Sequence, residues 1–600
     1  MKNLYLNIAA VITAAALSGC TFMQEPAPQL KSVTDCKFIN GAWSQLADQL
    51  LVTSMRRETI CPAANEPSFQ IWCSLWKESD GSIKLAFSEV TGDLAQWPPT
   101  YNFNTPGIQN TRKIYVSKDD GRSWQFTGAE WNPIAKEWTD NSDPGHMHIV
   151  RLPDGKLLRT MRCYDNAKLH KGSHPVYDPE KAKTPVTFPF TYRETECLQY
   201  HRGFTVSSDE GRTWQTIACM ESGNRVLMTG LHLLKNGLLV AVGAEYTGPL
   251  PYGGKAIIME SADYGKSWSD PQVFAVNNDL VRGVCEESDF VELADGSLLV
   301  ISRVVGSDGQ NIQTRLKRSS DGKWQVLEQS SPENFIRTGY PAVYRAQDGT
   351  IFHDRGSSLL YSCDDGKTWN VLETGCTYYG KLVETSPQRM LSISQNNIGD
   401  SSFPWRHDAG ITQFAFTYRR YQRWAQNGES GILQINDKAV KDCHAALALK
   451  MEKSVAFIYG SDPANGCIAR LVNRTIDNKQ SLFFEMGNLV NGKVEITRSW
   501  CVAPTASDGK FEMQLLRQGN LLKAAVKLNE GSWASRQDPP FYLAMPIAED
   551  FSGNVYCQII GKGEISDIRF APQGKSYIRE NWQNPEASTA AIELDAGRTF

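Results

Sequence analysis

The chain of 600 residues is longer than one hydrophobic core usually organises, so its length predicts more than one domain. Hydrophobic residues make up 41% and charged residues 21% of it, which excludes a mainly disordered protein. The 62 basic and 66 acidic residues give a formal net charge of -4, which offers no long-range attraction to a polyanion, and we therefore expect no binding to nucleic acid.

The first twenty residues have the layout of an export signal. Lys2 precedes an apolar run from Leu4 to Leu17 that is too short to span a membrane comfortably. The run ends in Leu-Ser-Gly before Cys20, an ending that resembles the lipobox of bacterial lipoproteins. The resemblance implies a lipid on Cys20 and an anchored protein of the cell envelope, on the periplasmic or surface face of the outer membrane. A plain signal with a coincidental cysteine is the alternative.

Cysteine spacing gives no sign of a metal site. The chain has 14 cysteines, but no C-x-x-C pair and no Cys/His spacing typical of structural zinc. Metal binding through thiolates is therefore not expected. We predict no metal ligands among the site residues and no cofactor.

An eight-residue motif, S-x-D-x-G-x-(S/T)-W, dominates the middle of the chain. It first runs from Ser117 to Trp124 and returns from Ser207, Ser261 and Ser362, and a shortened copy starts at Ser319. Ser and Asp can hydrogen-bond turn amides, Gly adopts the positive φ of a tight turn, and Trp packs beneath it. The motif therefore predicts a repeated hairpin turn that stabilises the fold.

A second repeated element precedes each motif. It consists of an apolar strand, an Asp-Gly or Asn-Gly turn and another apolar strand, as at residues 150–158, 233–240, 291–299 and 343–351. The motif tryptophans stand at 124, 214, 268, 324 and 369, spacings that suit four-stranded propeller blades. With residues 68–85 as an opening and 379–393 as a closing hairpin, the pattern predicts six blades.

These elements define the expected domains of an all-β protein. The signal occupies residues 1–20, and residues 21–64 form an N-terminal segment that helps to close the ring. The six-bladed propeller covers residues 65–424. Beyond it the motif stops while short alternating strands continue, so residues 425–600 are predicted to be an antiparallel β-sandwich that serves as an accessory domain.

The repeated motif and the inner hairpins together resemble the sialidase (neuraminidase) superfamily, the Asp-box or BNR-repeat propellers. The resemblance covers about residues 65–420 and implies that the first strands of the blades meet at a central site. In this family a Tyr/Glu pair supplies the nucleophile, arginines hold the substrate carboxylate, and an Asp is the general acid. A guanidinium fork matches a carboxylate, and a neutral tyrosine can approach an anomeric centre that bears a negative group.

Matched to the family pattern, Tyr379 is the nucleophile, Glu287 its partner, Arg303 and Arg355 are carboxylate ligands and Asp93 is the proton donor. Structural alternatives remain open for these residues. Tyr379 could be a packing tyrosine, and Arg355 could form a surface salt bridge. The first blade departs from the pattern, because Gln70 stands where the family has an arginine. Gln70 can hydrogen-bond a carboxylate but carries no charge, which favours a substrate other than an ordinary sialoside.

The second blade adds a feature that the family pattern does not contain. His146 and His148 open its inner strand, and strand alternation places both on one side, where they could transfer protons or ligate a metal. A structural histidine pair is the alternative. Arg162 and Tyr164, at the end of the paired strand, could stand close to them.

Three functions follow. The leading prediction is a glycoside hydrolase of the exo-sialidase type that releases a terminal acidic sugar, a sialic acid or a related 2-keto-3-deoxy sugar, from glycans with retention. The second is a polysaccharide lyase in which His146 or His148 with a tyrosine removes a proton from a uronate-containing chain. The third is a non-catalytic glycan-binding propeller at the cell surface. The expected partners are a glycan or acidic polysaccharide and, through the lipid, a membrane.

Overall fold

The computed structural model describes most of the chain and shows an all-β protein. The described residues are 31–33, 36–61, 68–92, 108–129, 148–163, 201–220, 225–246, 254–275, 284–305, 310–336, 339–355, 358–372, 379–395, 410–503, 511–528, 541–572 and 593–594. Within these ranges the regular structure is β-strand, without an α-helix. None of the described residues therefore forms a helix with the length and apolar character needed to cross a membrane.

The described residues form 38 strands. The N-terminal ones are β1 (Lys31–Ser32), β2 (Lys37–Asn40) and β3 (Trp43–Cys61). The repeat region contains β4 (Ser68–Lys77), β5 (Ile83–Gly92), β6 (Ile108–Ser117), β7 (Gln125–Ala129), β8 (Ile149–Arg151), β9 (Leu157–Cys163), β10 (His201–Ser207), β11 (Gln215–Met220), β12 (Arg225–Leu233), β13 (Leu239–Tyr246), β14 (Gly254–Ser261), β15 (Gln272–Ala275), β16 (Val284–Glu292), β17 (Leu298–Val305), β18 (Ile312–Arg318), β19 (Trp324–Ser330), β20 (Val343–Arg345), β21 (Ile351–Asp354), β22 (Leu359–Ser362), β23 (Asn370–Leu372), β24 (Lys381–Ser386) and β25 (Arg389–Gln395). The remaining strands are β26 (Ile411–Gln426), β27 (Ser430–Gln434), β28 (Cys443–Met451), β29 (Ser454–Asp462), β30 (Asn465–Ile476), β31 (Lys479–Val490), β32 (Lys493–Ala503), β33 (Phe511–Gln518), β34 (Leu521–Leu528), β35 (Phe541–Pro546), β36 (Asn554–Ile560), β37 (Gly563–Pro572) and β38 (Glu593–Leu594).

The chain divides into two compact units. One, which we call the propeller unit, comprises Leu50–Arg419 with Ala591–Phe600, and the other, which we call the second unit, comprises Met1–Gln49 with Arg420–Ala590.

The propeller unit contains five separate four-stranded antiparallel sheets. They are β4 to β7, β8 to β11, β12 to β15, β16 to β19 and β20 to β23, and in each the strands pair in chain order. The first two strands of each sheet are the apolar hairpins that the sequence predicts, and the third and fourth strands flank the eight-residue motif. The arrangement is that of a propeller.

The prediction of six separate blades is wrong for the last hairpin. β24 and β25 pair as expected, but their hydrogen-bond ladder continues through β26 and β3 in one larger sheet. β26 is 16 residues long and runs past Arg419, so these strands do not end as an isolated four-stranded sheet. Hydroxyl contacts join β3 to β26, where Thr417 Oγ1 lies 2.7 Å from Thr53 Oγ1 and 2.6 Å from Ser54 Oγ.

Apolar clusters lie between successive sheets. The sheets that start at β4 and β8 share one with Trp76 and Leu157, and those that start at β12 and β16 share one with Val242 and Phe290. Further clusters join the second sheet to the third, the fourth to the fifth, the fifth to β24–β26, and β24–β26 back to the first. The buried residues in these clusters hold the sheets together by removing apolar surface from water.

The four complete motifs form the same turn, as predicted. In the copy from Ser207, the serine hydroxyl donates to Asp209 Oδ1 at 2.8 Å, and the Thr213 amide donates to the same oxygen at 2.8 Å. Gly211 has a φ of 83° and donates its amide to Ser207 Oγ at 2.9 Å. The other copies repeat these bonds within 0.1 Å. The indole of Trp369 donates to Gln313 of the preceding sheet at 2.9 Å, so the turn also links neighbouring sheets.

The second unit contains two antiparallel sheets. One has the strand order β2-β27-β36-β29-β30-β31-β32, and the other includes β37-β28-β33-β34-β35. Both contribute to one large buried apolar cluster, to which β29 brings Phe457 and β33 brings Leu515.

Candidate functional site

The first strands of the sheets in the propeller unit position the candidate site. β4, β8, β12, β16, β20 and β24 are neighbours in that order, and β24 is in turn a neighbour of β4. Side chains from distant parts of the chain therefore meet where these strands converge. The polar side chains at this centre form two connected groups.

The first group contains three of the predicted residues. The phenol of Tyr379 donates to Glu287 Oε2 across 3.3 Å. One guanidinium nitrogen of Arg303 donates to the same carboxylate oxygen at 2.6 Å and to the Tyr379 phenol oxygen at 3.2 Å. Tyr379 is 8% and Glu287 5% exposed, so little water competes for these bonds. Glu287 is thus placed to accept the phenol proton, and Arg303 to stabilise the phenolate that would form.

A β-bulge aims Glu287 at the centre. The register of β16 against β17 shifts between Cys285 and Ser288, so the strand carries an extra residue where Glu287 lies. The neighbouring strand β12 fixes this backbone, because Thr229 Oγ1 accepts the Ser288 amide and donates to the Ser288 carbonyl, both at 2.8 Å. Close approach of the strands requires glycine at position 230, since a Cβ there would lie 2.9 Å from the Ser288 carbonyl oxygen.

A strained turn holds Tyr379. Its φ is 57°, which a bulky residue adopts only when its surroundings enforce it. The next residue, Gly380, donates its amide to Asp354 Oδ2 at 2.8 Å, and a Cβ at position 380 would overlap that oxygen. Asp354 is 1% exposed. The buried carboxylate of β21 therefore fixes the backbone between Tyr379 and the start of β24.

The second group is centred on Asp289, which is two residues after Glu287 on β16. Asp289 Oδ2 lies 3.0 Å from His148 Nε2, and Asp289 Oδ1 lies 2.9 Å from His232 Nε2. The two imidazole rings are 4.5 Å apart between centroids. The amides of Phe290 and Val343 donate to the same carboxylate at 2.9 and 3.0 Å, and its side chain is fully buried.

Burial and mutual contact set the charges of this group. Burial lowers the pKa of His148 to about 3, against the attraction of Asp289, so this imidazole is neutral at neutral pH. Burial alone would raise the pKa of Asp289, but the contacts with His148 and His232 outweigh it and hold the pKa well below its usual range.

Tyr340 and Lys381 connect the two groups. The Lys381 ammonium lies 3.3 Å from the centre of the Tyr340 ring, and both residues interact electrostatically with Asp289 and Glu287. Burial lowers the pKa of Lys381 to about 7, although the nearby carboxylates oppose this. Burial also raises the pKa of Tyr340, and Asp289 adds to that effect, so Tyr340 stays a neutral phenol.

Two further predicted residues lie apart from these contacts. Arg355 follows Asp354 directly and is half-buried, and its backbone amide donates to the Ser358 carbonyl at 3.1 Å. Arg355 is near the turn of Tyr379 through its sequence neighbour Asp354, which accepts the Gly380 amide. Gln70 is 2% exposed on β4, where its amide donates to Glu89 Oε1 at 3.3 Å. Gln70 therefore lies on a strand that lines the centre, but it is engaged within its own sheet.

Four predicted residues, Cys20, Asp93, His146 and Tyr164, lie outside the described residues. Arg162 lies on β9, paired with Arg202 of β10, and only its backbone is described.

Sequence reasoning missed Asp289, His232, Tyr340, Lys381 and Asp354. Asp289 carried a readable signal, because it follows Glu287 by two residues in the predicted inner strand. Lys381 did not, because Tyr379 lies in a turn before β24, where strand alternation does not apply. His232 stands in an apolar strand without such a partner. Tyr340 precedes β20 and has no motif of its own.

Comparison with known proteins gives a family match in the repeat region. Residues 74–353 match the family model of the BNR repeat-like domain, in agreement with the resemblance of the repeated motifs. No curated protein sequence matches the chain significantly.

Several solved structures resemble the protein. A protein of unknown function from Dyadobacter fermentans is 17% identical, with a TM-score of 0.43 over 61% of this chain and 100% of its own. An α-L-arabinofuranosidase from Fusarium graminearum is 13% identical, with a TM-score of 0.39 over 62% of this chain and 98% of its own. The sialidase of Trypanosoma rangeli is 11% identical, with a TM-score of 0.37 over 91% of this chain and 99% of its own.

Proposed function

We propose that the protein is a glycoside hydrolase that removes a terminal acidic sugar from glycans through a covalent intermediate on Tyr379. The observation that carries this proposal is the contact of the Tyr379 phenol with both Glu287, at 3.3 Å, and Arg303, at 3.2 Å. A tyrosine bonded to a buried carboxylate and a guanidinium can lose its proton to the first while the second stabilises the phenolate.

The proposed reaction has two displacement steps. In the first, the Tyr379 proton passes to Glu287, the phenolate oxygen bonds to the anomeric carbon, and the bond to the leaving oxygen breaks as that oxygen takes a proton. In the second, water bonds to the same carbon from the face of the departed group while the bond from that carbon to the Tyr379 oxygen breaks. Glu287 returns its proton to the phenol oxygen, and the water gives a proton to the group that protonated the leaving oxygen, so the configuration is retained. We propose Asp93 as the donor to the leaving oxygen, on the family resemblance alone.

The expected anionic substituent follows from the charges around Tyr379. A nucleophile that is neutral before it reacts suits an anomeric centre bearing a carboxylate, because an anionic one would be repelled. Arg303 supports this assignment, since its guanidinium lies at the nucleophile. We propose Arg355 as the second carboxylate ligand and Gln70 as a neutral contact, which favours a sialic acid relative or another 2-keto-3-deoxy sugar over an ordinary sialoside.

The test is a panel of fluorogenic glycosides of sialic acid, of other 2-keto-3-deoxy sugars and of neutral sugars. We expect release of the fluorophore from one of the acidic substrates and none by Tyr379→Phe. A fluorinated analogue that forms the intermediate but hydrolyses slowly should add its sugar mass to the peptide that contains Tyr379. Turnover that survives in Tyr379→Phe would remove this residue from the mechanism.

A polysaccharide lyase is the second candidate, and the pair His148 and His232 favours it. Two imidazoles that contact one buried carboxylate could transfer protons during elimination at a uronate. Incubation with uronate-containing polysaccharides should then raise the ultraviolet absorbance of an unsaturated product, and His148→Gln should abolish the rise. Binding of a glycan without either reaction would support the third alternative, a non-catalytic glycan-binding propeller.

We infer that the two sheets of the second unit form an accessory sandwich. The large apolar cluster to which both sheets contribute supports this inference. We also propose, from the lipobox alone, that Cys20 anchors the protein in the cell envelope. Membrane fractionation of Cys20→Ser against the parent protein tests the anchor.

A further inference from the structure

The most informative group that the proposed hydrolase mechanism does not use is formed by His148, His232 and Asp289. We propose that these three residues form a binding site for one divalent transition-metal ion, of the Zn²⁺ type. The inference rests on the geometry of these side chains alone and is independent of the proposed hydrolysis.

The donor atoms are already close enough to share an ion. The potential ligand atoms of the three residues all lie within 4.8 Å of one another. Each Nε2 atom lies about the same distance, 3.0 or 2.9 Å, from one of the two oxygens of Asp289. Two ligands at about 2.1 Å from one zinc ion are separated by roughly 3.4 Å at the tetrahedral angle, so small side-chain shifts would suffice to admit the metal.

The ligand set also matches the chemistry of such an ion. Two imidazoles and a carboxylate suit borderline metals such as zinc, whereas calcium and magnesium prefer sites made of oxygen atoms. Three protein ligands leave coordination positions open for water or a substrate atom. The His148 and His232 side chains are 15% and 31% exposed, which gives the ion a path to the site.

The surrounding backbone prepares the carboxylate for this role. Asp289 is held by the amides of Phe290 and Val343, from β16 and β20, so its position does not depend on the histidines. Outer hydrogen bonds of this kind orient a metal ligand and strengthen the site. Lys381 opposes the ion, because its ammonium also interacts with Asp289, and this repulsion will limit the affinity.

Titration of chelator-treated, full-length protein with Zn²⁺ in a calorimeter tests the proposal. We expect saturable binding of one ion, weakened at least about tenfold by His148→Gln and by His232→Gln, and lost in the double variant. His444→Gln is the matched control, because His444 is a buried histidine of the second unit bonded to Gln514 at 3.1 Å, and it should leave the binding unchanged. Equal binding by the double variant, or no stoichiometric binding by the parent protein, would overturn the site.

A spectroscopic measurement covers the case in which a variant fails to fold. Cu²⁺ added in equimolar amount to the parent protein should show pulsed electron paramagnetic resonance signals from two imidazole ligands. Signals from one imidazole or none would contradict the site without any substitution. Because imidazoles that bind a metal through Nε2 cannot act as bases there, a positive result would also count against the lyase.

Discussion

The motif turns and the centre of the propeller unit, where the first strands converge, are held by different kinds of contact. Within each eight-residue motif the hydrogen bonds that shape the turn join residues at most four positions apart, and the same bonds recur in four copies. At the convergence of the first strands, the contacts join residues as distant as Glu287 and Tyr379, and each strand contributes a different side chain. The repeated turns therefore specify the fold, while the proposed chemistry depends on side chains that differ from one sheet to the next.

Among variants that distinguish the central residues from the motif turns, we expect the largest loss of activity for Tyr379→Phe. Loss of the proposed nucleophile should lower kcat at least about 1000-fold, because covalent and acid–base groups contribute on that scale, with little change in the melting temperature. Tyr264→Phe is the control, since Tyr264 lies in a motif turn and is 42% exposed, and its activity should equal that of the parent. Steady-state kinetics measures kcat, and circular dichroism measures the melting temperature. An equal loss of kcat in the two variants would contradict a special role of Tyr379.

Gly380→Ala should have the next largest effect. A Cβ there would displace Asp354 and with it the strained turn at Tyr379, so we expect loss of roughly 2 kcal/mol of stability and a fall in kcat. Gly155→Ala is the comparison, because it carries the cost of a positive φ, 86°, while its Cβ would meet no atom within 4 Å. It should lose about 1 kcal/mol and keep full activity. Urea unfolding and kinetics compare the two variants.

Substitution in a motif turn should lower stability without lowering kcat. Asp209→Ala removes the acceptor of Ser207 and Thr213, and we expect a loss of about 1 to 2 kcal/mol with unchanged kcat. The corresponding Asp263→Ala should cost a similar amount, since its bonds have the same lengths within 0.1 Å. Urea unfolding of both variants checks this, and a large drop in kcat for either would tie the turns to function.

The smallest expected effect concerns pH. Burial lowers the pKa of His353 and of His444 to about 4, so the unfolded chain takes up protons first as the pH falls below about 6.5. The contribution of these two histidines to stability should therefore be constant above that pH and decline from about 6.5 to 4. Melting temperatures of His444→Gln should decline less over this range than those of the parent, and an identical decline would show that His444 does not titrate in this way.

The sequence predicted the parts of the structure that depend on repeated motifs or on alternating apolar residues. The turns, the apolar hairpins and the position of Tyr379 against Glu287 could be predicted because each depends on local spacing or on a known family pattern. The bulge that aims Glu287 and the turn that places Tyr379 depend on Thr229 and Asp354, which belong to other sheets. His232 and Tyr340 were missed for the same reason, since only the ring brings them to Asp289.

The pairing of β3 with β26 affects how the protein can fold during synthesis. Thr53 and Thr417 are separated by 364 positions, so a strand made near the beginning must wait for its neighbour until most of the chain has emerged. Loop-closure entropy makes such a late, long-range step slow, and the unpaired edge of β3 is exposed to other chains meanwhile. Assembly of the propeller unit should thus depend on the late pairing of β3 with β26. Removing either strand should impair folding.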